Sequence, residues 1–104
     1  MRLHKGLFWG ESVLDKKHQI IWRLKHKRLQ RNVHVLTLAS NGIDLIDIYP
    51  SYVFMQPYFQ KEDFYVIGLA GSRQEALTLS RFIVEQMYMK NGNCNIREFL
   101  HIES

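Results

Sequence analysis

Residues 64–70, Phe-Tyr-Val-Ile-Gly-Leu-Ala, form an unbroken apolar run with β-branched and aromatic members. A strand with one wet face alternates polar and apolar side chains; a run without alternation marks a strand buried on both faces. Such a strand belongs in the middle of a sheet. Gly71 then turns the chain, and Ser72 with Glu75 three residues on forms a capping box that opens a helix over 73–90. Asn91-Gly92 is a stop signal for that helix, and Cys94 to Phe99 reads as a last strand. Strand, helix and strand in that order predict a right-handed parallel crossover, a βαβ unit.

The sequence before this unit reads as a helix and a hairpin. Over residues 12–30, Val13, Leu14, Ile20, Ile21 and Leu24 fall on one helical stripe, with Ser12 and Asp15 approximating a capping box. Val33 to Leu38 and Ile43 to Tyr49 are β-rich and flank Asn41-Gly42, the favoured pair for a two-residue type I′ turn. A hairpin with strands near 32–40 and 43–49 follows. Pro50 ends its second strand, and Pro57 limits any helix in the aromatic segment that includes Tyr52, Phe54, Tyr58 and Phe59. Residues 1–10 read as a short arm pinned to the body by Leu7, Phe8 and Trp9. The expectation is one α+β domain over 1–104, with a two-layer, four-stranded mixed sheet packed with two main helices. The sheet order expected is the second hairpin strand, the first, strand 64–70 and strand 94–99.

Composition limits the class of protein. Apolar residues are 46% and charged residues 23% of the chain, enough apolar surface to offset the entropy of ordering, so disorder is not expected. The purely apolar runs fall far short of the roughly 20 residues that span a bilayer. The first ten residues lack the apolar stretch and cleavage site of a signal peptide. One cysteine, Cys94, cannot form an internal disulfide or a paired-cysteine zinc site. These features together predict a cytoplasmic protein.

The charge is uneven. Residues 1–32 carry nine basic side chains against Glu11 and Asp15, a net +7, while the remainder nets −3 of the total +4. The basic set of the first helix, Lys16, Arg23, Lys25, Lys27, Arg28 and Arg31, could meet several phosphates, and Trp22 projects away from the apolar stripe, where it could stack on a base. A nucleic acid is therefore one candidate partner. The plainer readings are a solvated face favoured by the helix dipole, or a complement to the chain's own acidic half.

Other constellations point less strongly to chemistry. Gly68-Leu69-Ala70-Gly71-Ser72 joins a strand to a helix as phosphate loops do, but it lacks the P-loop lysine and the third glycine of a dinucleotide fingerprint. A phosphate ligand or an enzyme built on that turn is the least favoured reading. The five histidines have no metal-site spacing, Asp44 and Asp47 alternate across a strand, and Cys94 has no basic neighbour to activate it. No metal, no cofactor and no catalysis are expected.

The helix over 73–90 carries more apolar residues than one stripe needs. Ala76, Leu77, Ser80, Ile83, Val84 and Met87 suit the sheet, whereas Phe82 and Met89 lie opposite, bordered by Leu79. With Tyr52, Phe54 and Tyr58 they form the predicted interface of a homodimeric protein-interaction module, since a small domain is short of burial. The alternative is that these side chains complete the core.

Overall fold

The computed structural model describes residues 1–30, 32–39, 45–57, 63–93 and 95–101. Strand β1 (Arg2–Trp9) leads into a 3-10 helix (Glu11–Lys16) and helix α1 (Lys17–Lys25). Strands β2 (His34–Leu38) and β3 (Ile46–Pro50) follow, then a second 3-10 helix (Ser51–Met55). Strand β4 (Tyr65–Ala70), helix α2 (Arg73–Asn91) and the short helix α3 (Ile96–Phe99) close the order.

These strands make one four-stranded mixed sheet in the order β1-β4-β2-β3, an α+β fold with two main helices. The fully apolar β4 lies inside it, parallel to β1 and antiparallel to β2. Val66, Ile67, Leu69 and Ala70 are all inaccessible to solvent. Helices cover both faces, adding a third layer to the two expected. On one side Val13, Ile20 and Leu24 pack against Val35, Val66 and Leu69. On the other, Ala76, Ile83 and Met87 pack against Leu36, Ile67 and Ala70.

A bulge shifts the alternation of β4 between the two layers. Leu36 faces Gly68 and Thr37 faces Val66, so Ile67 has no partner on β2. The extra residue shifts the alternation, and Val66 joins Leu69 toward α1 while Ile67 joins Ala70 toward α2. On the other edge, β1 resumes pairing at Phe8 opposite Gly68 after leaving it at Leu3 opposite Val66, so residues 4–7 stand against Ile67 alone.

The fourth strand corrects the expected topology. The parallel neighbour of β4 is the N-terminal segment, and residues 96–99, expected as strand, are helical. Asn95 accepts a hydrogen bond from the Glu98 N–H at 3.1 Å, an N-cap, and Ile96 and Leu100 bury one helical face four residues apart. The expected crossover to a strand at 94–99 is therefore absent. Residues 1–10 are pinned as expected, with Leu7 and Trp9 on the α1 side and Phe8 on the α2 side, but as a paired strand.

The hairpin strands pair antiparallel as expected, with Leu38 opposite Ile46. Their Asn41-Gly42 turn, like Arg31, Tyr58 and Cys94, lies outside the described residues. This register puts Ile46 and Ile48 on the α2 side and Tyr49 on the α1 side.

The first helix also differs from its expected bounds. It opens as a 3-10 helix capped by Gly10 without a side-chain bond and ends at Lys25, not near residue 30. At its end the Arg28 N–H reaches the Arg23 carbonyl at 2.8 Å and the Lys27 N–H the Leu24 carbonyl at 3.3 Å. These are the bonds of a Schellman motif, with Lys27 at φ 55° in the left-handed position that glycine prefers. Helix α2, by contrast, ends on Gly92 at φ 70°. Replacing Lys27 by Gly is expected to stabilise the fold by about 1 kcal/mol by relieving the left-handed side chain, read as a higher midpoint in thermal unfolding.

Candidate functional site

At the end of the sheet where β1 and β4 stop, two turns are tied by one side chain. Glu75, in the first turn of α2, accepts from the Gly71 N–H at 2.6 Å, from the Ser12 hydroxyl at 2.7 Å and from the Ser12 N–H at 3.1 Å. Its own N–H donates to the Ser72 hydroxyl at 3.0 Å, so the expected cap at Ser72 forms. The carboxylate turns away from the cap to hold Ser12, which lies inside the 3-10 helix and not at its expected capping position. A Cβ at Gly10 would meet the Glu75 carboxylate and one at Gly71 the Ser12 hydroxyl, so a side chain at either position would displace the clasp. Burial alone would raise the Glu75 carboxyl, but the bonds from Gly71 and Ser12 outweigh it and hold the group below its ordinary value.

The donors of the Gly68–Ser72 turn are thus already engaged by the chain's own carboxylate. Gly71 N–H, the group a phosphate would seek at this helix start, is taken by Glu75.

Beside this clasp lies a polar cleft of about 330 Å³. Lys16, Gln19, Ile20 and Arg23 line it from one side, a spacing of three, four and seven residues that keeps them on one helical face. Ser12, Gly71, Gln30, Asn32 and Val33 complete the wall. Gln30 is buried and donates to the Ile20 carbonyl at 3.3 Å, while Ser51 donates to the Gln30 carbonyl at 3.2 Å. These bonds fix the chain as it leaves α1. The cleft therefore combines two expected basic residues, Lys16 and Arg23, with the backbone of the expected glycine turn.

Trp22 precedes Arg23, about 100° round the helix. It is 51% exposed, and the His26 ring stacks on it with centroids 4.3 Å apart and planes 21° apart. The Trp22 carbonyl accepts from His26 Nδ1 at 2.8 Å, which holds that imidazole in place. The Arg28 guanidinium stands 6.0 Å from the Trp22 ring centre. Lys17 instead lies over Trp9, 5.6 Å from its ring centre.

Among the described residues the one ion pair is Arg2–Asp63, at 3.0 Å. Lys16, Arg23, Lys25, Lys27 and Arg28 therefore meet no carboxylate among the described residues. No group of three His, Cys, Asp or Glu side chains is placed to hold a metal among the described residues. No helix of the described residues is long and apolar enough to cross a membrane.

The interface residues are divided between layers. Phe82 and Met89 are 48% and 80% exposed on the outer side of α2, and Leu79 is half-buried against the core beneath. Phe54 is a correction. It is only 4% exposed, packed edge-on to Tyr49 and Phe64 at 5.9 and 5.1 Å, so it serves the core and no outer surface. Tyr52 is exposed, but it lines a second cleft with Leu29, His34 and Pro50 on the α1 side, away from Phe82 and Met89. Desolvation, then Arg73, holds the His34 imidazole below its ordinary value.

The chain matches no protein-family model, no curated protein and no solved structure.

Sequence reading missed the Glu75 clasp. Its donor partners lie 63 positions from Glu75 at Ser12 and four at Gly71, and only the second spacing is visible locally. The folded pKa lies below the unfolded one, so the clasp stabilises above the unfolded value and is lost as pH falls through the folded value. Glu75→Ala is expected to cost about 2 kcal/mol at neutral pH and to flatten the loss of stability on acidification below about pH 5. Urea unfolding at several pH values measures both.

Proposed function

We propose that this protein is a cytoplasmic, non-catalytic nucleic-acid-binding module that holds phosphates along the basic segment running from Lys16 through α1 to Arg28. The observation that supports this reading is that five basic side chains, Lys16, Arg23, Lys25, Lys27 and Arg28, have no carboxylate partner among the described residues. A cluster of like charge repels itself, and a polyanion relieves that repulsion while releasing its own counterions. Two of the five line the polar cleft, which gives a phosphate a defined seat beyond a flat charged surface.

The reading makes salt the decisive variable. If four of these groups each meet one phosphate, affinity should fall roughly fifty-fold or more between about 50 and 200 mM salt. Fluorescence anisotropy with a labelled oligonucleotide measures this, and Lys16→Glu combined with Arg23→Glu should abolish binding. No binding at the lower salt would overturn the reading.

A second reading, a homodimeric interaction module, is favoured by Phe82 and Met89, seven residues apart and both exposed on α2. Burying them in a two-fold contact would extend the small core. Sedimentation equilibrium is the test: a dimer of the wild type should become a folded monomer on Phe82→Glu or Met89→Glu. A wild-type monomer at high micromolar concentration would refute it.

A further inference from the structure

We propose that the α1 face takes a single strand, with an unpaired base stacked on the Trp22–His26 pair and a neighbouring phosphate in the cleft between Lys16 and Arg23. The inference rests on the nucleic-acid reading above and narrows it to a class of nucleic acid. Electrostatics alone does not distinguish a duplex from a single strand, because both present phosphates. An aromatic platform does distinguish them, because bases in a duplex are already stacked on one another and an unpaired base is free to leave.

Three observations place such a platform here. Trp22 is half exposed although it is the largest apolar side chain of α1, so the core makes no use of its outer surface. The near-parallel His26 ring, held by its bond to the Trp22 carbonyl, covers one face of the indole and fixes its orientation. Arg28 brings a cation to within 6.0 Å of the same ring, where the phosphate next to a stacked base would lie. On the adjoining helical face, Gln19 and Arg23 open into the cleft of about 330 Å³. Aromatic surface and phosphate seat thus stand side by side on one short helix.

The test compares labelled oligothymidylate and oligouridylate of about twelve nucleotides, a length within the usual range of single-strand sites, with a duplex of equal length at the same salt. The single strands should bind about tenfold more tightly than the duplex. Trp22→Ala should weaken single-strand binding about tenfold, in the range measured for stacked bases, and leave duplex binding unchanged. The wild type should show a quench of tryptophan emission on saturation, and Trp22→Phe should lose that quench while keeping most of the affinity. Trp22 is exposed, and an unchanged unfolding midpoint would confirm that the variants fold. Equal affinity for single strand and duplex, with no effect of Trp22→Ala, would overturn the stacking seat. If Lys16→Glu with Arg23→Glu still abolished binding, the electrostatic reading would survive that result. No binding of any oligonucleotide at about 50 mM salt would overturn both.

Discussion

Burial of β4 on both faces and along both edges is the constraint from which the remaining architecture follows. A strand with Val66, Ile67, Leu69 and Ala70 all out of solvent needs a hydrogen-bonded neighbour on each side and a layer above and below. β1 and β2 supply the neighbours, and α1 and α2 the layers. The bulge at Ile67 decides which residues face which layer, because strict alternation would leave Val66 and Leu69 on opposite faces. The position of the α1 cleft depends on the same strand. Gly71 follows its last residue, and Glu75 ties that turn to Ser12 at the root of the basic helix.

Much of this was legible in the residues. The unbroken run at 64–70 gives an inner strand, Ser72 and Gly92 bound the long helix, and the hairpin strands pair antiparallel. The fourth strand was not legible, for a physical reason. β1 has no clean alternation, since residues 4–7 bulge against a single residue of β4 and Gly6 falls among them. Residues 94–99 carry Ile96 and Phe99 among polar neighbours, and so short a segment suits a strand or a helical turn equally until Asn95 is recognised as a cap.

The candidate site was legible in its parts and not in its assembly. Lys16, Arg23 and Trp22 could be picked out as a basic and aromatic helix, and Gly71 as a tight turn, but their meeting at one cleft is a tertiary fact. Phe54 shows the opposite failure. An aromatic residue between two prolines looks the same in sequence whether it faces outward or inward, and only the rings of Tyr49 and Phe64 decide.

The pairing of β1 with β4 also orders events in time. During synthesis β1 is complete once Trp9 has been added, yet its partner ends at Ala70. Until then Leu3, Leu7, Phe8 and Trp9 have no sheet to join, while β2 and β3 can meet as soon as Pro50 has been made. Of the four strands, the one made first is therefore the one that must wait longest for its native neighbour, and closing that long loop carries the larger entropic cost.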